Sequence, residues 1–293
     1  MKIRTRAYIY LLIASFIWGI AGPVIKYTVG YLPPLIFLFY RFAIAGVFAL
    51  VTLVLHNHNH WPKSPSQRLW IFLYCFLNST VVLGLLFLGY ERTSAISGSV
   101  VNTIYPIIVA IVGVIFLKER VTHREKIGMG IVLGGTSLIL LNSGVVAFGG
   151  NMLILASITI GVLGAVMAKL LLRTKLSPFA LTQLSFLIGL ITITPLVFYF
   201  HSPSSVFQLL TAIPVSVHAG VWYMALLSGT FAYTLWHLGQ KSIEIGETAM
   251  FSYLYPIFAI PVSFFWLHEQ ISWNSMIGGF VIILGLYLAF RRS

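Results

Sequence analysis

The chain has 293 residues, 59% hydrophobic and 8% charged, which is too little charge to cover a soluble domain of this length. Its net charge of +12 would suit nucleic acid, but the cations gather in short loops between apolar runs, which argues against that partner. The single cysteine, Cys75, lies within an apolar run, so neither a disulfide framework nor a cysteine metal site is expected.

Apolar runs of about 20 residues, the length that crosses a bilayer core, follow one another along the chain. The first, at about 8–29, follows Lys2, Arg4 and Arg6. It is too long for a signal peptide and lacks a small-residue cleavage site, so it is expected to be a retained span. Breaks at charge, Pro, Gly and Asn clusters place the others at about 34–55, 69–89, 94–116, 125–141, 150–172, 179–200, 214–238, 246–267 and 273–290. The predicted fold is all-α and integral to the membrane, with ten transmembrane helices. With the N-terminus inside, every Lys and Arg except Lys26, Arg41 and Arg92 falls on the cytoplasmic side. Both termini are therefore expected in the cytoplasm, on a multi-pass protein of a cell membrane such as the bacterial inner membrane.

The chain also repeats itself. YPIIVAIVGVIFLKE, from Tyr105 to Glu119, returns 150 residues later as YPIFAIPVSFFWLHE, from Tyr255 to Glu269. LGYERTSAISG precedes the first copy and LGQKSIEIGET the second, and the stretches opening EKIGMG and NSMIGG follow them. A weaker match joins LIASFIWGIAG to ILASITIGVLG, 142 residues apart. The halves are 1–142 and 149–293, with five spans each. Because five is odd, the second half is expected upside down relative to the first, as in secondary transporters that hold substrate between inverted repeats.

Several features occur in a specific order: Trp18-Gly19 then Lys26, Pro34 then Arg41, and Thr93-Ser94-Ala95, Pro106, Glu119-Arg120 and Gly128. In these the chain resembles the ten-span EamA-type members of the drug/metabolite transporter superfamily. The second copy departs by carrying His268-Glu269-Gln270. The resemblance implies a carrier of small metabolites, often an exporter, and leaves the substrate open. It also favours an architectural role for Arg41 over substrate contact.

Pro106 and Pro256 lack an N–H and should free the carbonyls of Asn102 and Ser252. Freed carbonyls in lipid must be buried in protein or line a wet cavity, so the pair predicts two matched kinks beside a central pathway. Helical spacing puts Gly98, Asn102 and Tyr105 on one stripe, with Thr248, Ser252 and Tyr255 as their repeat mates. Ser15, Trp18, Gly22 and Lys26 form another stripe, Tyr74 and Asn78 a third, and Thr230, Tyr233 and His237 a fourth. The candidate substrate-binding residues are thus Trp18, Asn78, Asn102, Tyr105, Tyr233, His237, Ser252 and Tyr255. The candidate gating or charge-bearing residues are Lys26, Arg41, Glu247, Pro106 and Pro256. Lys26 either snorkels to the outer surface or draws anions to the outer mouth.

Other features read as structural. Trp222 and Tyr90 suit an interfacial belt. The His56, His58, His60 tract reads as solvated loop. Thr122 to Glu125 fits a capping box, and Gly130 to Gly134 suits close helix packing or a homodimer contact.

An aromatic, weakly charged cavity suits small amphipathic metabolites such as amino acids. Other readings are a facilitative channel, or a carrier of sugar phosphates, nucleotide sugars or drug-like cations. No His-Glu-x-x-His, Gly-x-Ser-x-Gly or phosphate-binding loop occurs, so no enzyme activity, catalytic residue, cofactor or metal is expected. The chain has no Asp, and Glu247 is the glutamate placed to matter, with His237 a candidate neighbour. Transport is therefore expected to run chiefly down the substrate gradient.

Overall fold

Backbone groups in lipid must find partners within the protein, which restricts a chain this apolar to helices or a closed barrel. The computed structural model describes residues 3–55, 64–117, 122–141, 145–174, 176–271 and 273–290, and no strand occurs among them. The His56–His60 tract and Glu119-Arg120 lie outside these residues, as does the side chain of Glu125 and with it the capping box.

The helices are α1 (Ile3–Val29), α2 (Pro34–Leu55), α3 (Pro65–Arg92) and α4, built from Ala95–Val101, Asn102–Ile104 and Tyr105–Leu117. They continue with α5 (His123–Leu141), α6 (Val145–Leu172), α7 (Pro178–Phe200), α8 (Val215–Ser242), α9 (Ile245–Trp266) and α10 (Trp273–Phe290). Eight of them are long and apolar enough to cross a membrane, while α5 and α10 carry the shorter apolar stretches Lys126–Ile139 and Met276–Gly285. A short helix, Pro203–Ala212, precedes α8 and was not expected from the sequence. Its start is legible afterwards: Ser202 accepts from the Ser205 N–H, and Pro203 takes the first turn. Large apolar side chains face outward, with Trp273 77% and Phe265 76% exposed, as lipid contact requires.

The repeat is visible in how α5 and α10 cross. A Cβ added at Gly135 would stand 2.7 Å from the Gly278 carbonyl oxygen, and one at Gly285 would stand 2.7 Å from that of Gly128. Gly128 and Gly278 are 150 apart, as are Gly135 and Gly285, so each glycine meets the other's mate. Residue numbers rise along α5 as they fall along α10, so these repeat-equivalent helices run antiparallel. The crossing does not use the expected Gly130–Gly134 face, where nothing lies within 4 Å of an added Cβ. The contact runs through Gly128 and Gly135, one helix face round.

Both proline positions follow a local change of helix geometry, and the expected freeing of carbonyls is corrected. The helix tightens to 3₁₀ at Asn102–Ile104 and Met250–Leu254, just ahead of Pro106 and Pro256. That tightening lets the Tyr105 and Tyr255 N–H groups donate to the Asn102 and Ser252 carbonyls. The carbonyls that proline should free are recaptured locally, three residues on.

Candidate functional site

Two features that the sequence did not disclose shape the centre. α3 widens to a π-helix at Phe76–Val82, and α8 does so at Tyr223–Phe231. Repeat mates Asn78 and Ser228, 150 residues apart, both fall in these segments. Widened turns leave carbonyls short of partners. The Ser157 hydroxyl donates to the Val82 carbonyl at 2.9 Å, and the Trp18 indole N–H donates to the Ser228 carbonyl at 2.9 Å. α6 and α1 are thereby pinned to the two π segments.

Two adjoining cavities, each of about 150 Å³, lie between these elements. They share Trp18, Leu83, Leu86, Asn102, Tyr233 and Tyr255. The first continues past Gly22, Arg41, Phe87 and Tyr90; the second continues past Tyr74, Asn78, Tyr105 and His237. Seven of the eight residues predicted to bind substrate line one cavity or both. Ser252 lines neither, and its hydroxyl donates to the Ala249 carbonyl at 2.8 Å. The Asn102 amide is partly occupied as well, donating to the Gly98 carbonyl at 2.9 Å.

Trp18 stands at the junction. Its ring lies 4.7 Å from that of Tyr233, 5.0 Å from Trp236 and 6.3 Å from Tyr255, within or near the range of favourable aromatic pairing. Tyr90 proves to be no belt residue. It is 3% exposed and lies across two glycines: an added Cβ at Gly22 would stand 2.9 Å from its hydroxyl, and one at Gly98 would overlap its ring. Trp222, by contrast, is 51% exposed and faces out as expected.

His237 is fully engaged. The Thr182 hydroxyl lies 3.0 Å from the Pro178 carbonyl and 2.9 Å from His237 Nδ1, and the Tyr74 hydroxyl lies 2.9 Å from Nε2. A hydroxyl has one proton. If Thr182 gives its proton to Pro178, it accepts from Nδ1–H, which leaves Nε2 to accept from Tyr74. One neutral tautomer satisfies all three groups.

No hydrogen bond joins Glu247 to His237 among the described residues. That carboxylate accepts from Arg4 Nη2 at 2.6 Å and from the Tyr8 hydroxyl, at a partly exposed end of the bundle. At the opposite end Glu269 accepts from the Ala95 and Ile96 N–H groups at 2.7 and 2.9 Å, capping α4. Lys26 is half-buried, and its ammonium donates to the Tyr90 and Glu91 carbonyls at 3.1 and 3.3 Å. Lys169, which the sequence presented only as a basic residue near a loop, does the same for α8. It donates to the carbonyls of Gln240 and, at 2.5 Å, Ile243. Among the described residues no cluster of three or more His, Cys, Asp or Glu could hold a metal ion.

Comparison with known proteins agrees with this geometry. An uncharacterized transporter, YyaM of Bacillus subtilis, is 25% identical over 96% of this chain and 92% of its own. An uncharacterized transporter of Archaeoglobus fulgidus is 26% identical over 98% and 99%. A probable terminal-alkyne amino-acid exporter of Streptantibioticus cattleyicolor is 25% identical over 70% of this chain and 67% of its own. One crystal structure superposes with a TM-score of 0.73 at 17% identity, over 99% of this chain and all of that one, which establishes a shared fold. The model of the EamA-like transporter family matches twice, over residues 5–141 and 148–291, and the chain therefore belongs to that family.

Proposed function

We propose that this transporter carries small amphipathic metabolites, amino acids first among them, by alternating access between two inverted five-helix halves, 1–142 and 149–293. The proposed direction is export, from a cell that holds both termini in its cytoplasm. The observation that carries this reading is the pair of adjoining cavities. They meet at Trp18, Asn102, Tyr233 and Tyr255, and each extends towards a different end of the bundle. Aromatic walls with few hydrogen-bonding groups suit an apolar side chain, and a relative named as an amino-acid exporter supports the same class. Repeat-equivalent kinks and π segments supply two matched hinges, which favours alternating access over a fixed pore.

The test is transport by purified protein in liposomes. An outward gradient of unlabelled L-leucine or L-phenylalanine should drive counterflow of the labelled amino acid. Asn102→Ala, Tyr105→Phe and Tyr255→Phe should each slow it, since one orienting hydrogen bond is worth about 1 kcal/mol, roughly fivefold. Undiminished transport in all three variants would move the site away from these cavities.

A further inference from the structure

We propose that Arg41 is the anion receptor of the first cavity, and that it takes the carboxylate of a small amphipathic substrate. The inference rests on the transport reading above and narrows its substrate class. Arg41 is 1% exposed, lies on α2 well inside the bundle and lines the cavity. Three rings surround its guanidinium carbon: Phe87 at 5.6 Å, Phe186 at 5.7 Å and Phe42 at 5.9 Å. Such a cage steadies the charge but accepts no N–H in the ring plane. Nε and Nη1 are buried and have no hydrogen-bond partner within the protein.

Among the described residues no carboxylate pairs with this charge. The sequence has no aspartate. The described glutamates sit at helix ends: Glu91 near the end of α3, Glu244 and Glu247 at the start of α9, and Glu269 beyond it. Glu247 is bound by Arg4, and Glu269 caps α4. A buried guanidinium without a counter-ion is costly, and its fork matches a carboxylate bidentately.

The repeat sharpens the point. Aligning Pro34 with Pro178 pairs Arg41 with Ser185 and Phe42 with Phe186. Ser185 is a neutral residue that donates to the Leu181 carbonyl at 3.0 Å. The charge therefore stands in one half alone, and a single positive group selects a monoanionic head. A cation would be repelled, and a dianionic phosphate would keep an unanswered charge because Lys26 is held by carbonyls.

The experiment is thermal unfolding of the purified full chain with matched probes. The carboxylates are L-leucine, L-phenylalanine, 4-methylpentanoate and 3-phenylpropionate; the controls are leucinamide and phenylalaninamide. A ligand that binds the folded state raises the midpoint with concentration. At least one carboxylate should do so and its amide should not. Arg41→Met should weaken that carboxylate by about 10- to 100-fold, the scale of a charge-assisted hydrogen bond, and Arg41→Lys should restore part of it. The ligand-free midpoint of Arg41→Met should not fall, since a bare buried charge has been removed. An architectural arginine would instead lower that midpoint. The proposal is overturned by that fall, by amides that match their acids, by an Arg41→Met protein that keeps the carboxylate shift, or by four carboxylates that all fail. A shift with the deaminated acids but not the amino acids would leave Arg41 as receptor and remove amino acids as cargo. A shift with amino acids that Arg41→Met retains would do the reverse.

Discussion

Lys26 and Lys169 hold opposite ends of the bundle in the same way. Each projects from the last turn of a long helix, α1 or α6, onto the C-terminal carbonyls of another, α3 or α8. Those carbonyls have no partner in their own helix, and the negative end of the helix dipole favours a cation there. The two ends differ in their acids. Glu269 is spent on the α4 N-terminus beside Lys26, whereas Glu247 pairs with Arg4 nearer the surface. The comparison teaches that each end carries one ammonium on one helix terminus, and that these two fasteners stand at opposite ends of the adjoining cavities. Under the alternating access proposed above, opening either end would require its lysine to let go.

The comparison holds only if the halves are joined rigidly, so the strongest way to break it is at the α5–α10 crossing. Gly135→Leu and Gly278→Leu would drive side chains into backbone carbonyls 2.7 Å from an added Cβ, where no flexible group can yield. Overpacking of this kind costs about 3 kcal/mol or more. Solubilised protein should lose its monodisperse size-exclusion peak. Gly130→Leu and Gly134→Leu, which meet nothing within 4 Å, should keep it. Equal behaviour of the four variants would refute the crossing as described.

The next largest effect separates the two ends. Hydrogen bonds from a charged donor contribute about 1.5–3 kcal/mol, so removing one fastener should raise the open population at that end by about 10- to 100-fold. Ser99 lines the first cavity and Ala168 the second, so each can report on its own side once Cys75 is replaced by Ser. Lys26→Met should speed thiol labelling of Ser99→Cys and leave Ala168→Cys unchanged. Lys169→Met should reverse that pattern. If both variants accelerate the same reporter, the lysines are not opposing fasteners.

Much of this organisation was legible in the sequence because its signals are local and strong. Apolar run length gives helices, proline gives kinks, and a repeat at a fixed offset survives even where single residues diverge. The cavity residues Trp18, Asn78, Asn102, Tyr105, Tyr233 and Tyr255 emerged from helical spacing because polar and aromatic stripes on five helices face one centre, whereas Ser252, on the same stripe as Tyr255, turns to its own backbone. The π segments did not emerge, since one extra residue per turn inside an apolar run alters no composition or period. Tyr90 and Lys169 were missed for a different reason. Aromatics near helix ends look like belt residues, and lysines near helix ends look like topology signals, until a partner helix is seen beside them. Arg41 was visible as an oddity, but that no described carboxylate pairs with it is a fact of three dimensions.

The smallest expected effect concerns Glu247 and the driving force. Proton-coupled carriers commonly hold a carboxylate or histidine chain within the membrane. Here His237 has both ring nitrogens bonded, to Thr182 and Tyr74, and Glu247 is bound to Arg4 and Tyr8 at one end of α9. No hydrogen bond links the two among the described residues. Arg4 is 57% exposed at its side chain, and pairs that face water contribute little. Glu247→Gln should therefore change the rate of downhill counterflow by less than about twofold, the scale of an exposed pair. The same liposomes, given an imposed pH gradient and no substrate gradient, should show no sustained accumulation of amino acid in either the original or the Glu247→Gln protein. Uphill accumulation that disappears in Glu247→Gln would make this glutamate the proton carrier. It would also make the difference between the two ends one of energy coupling as well as of fastening.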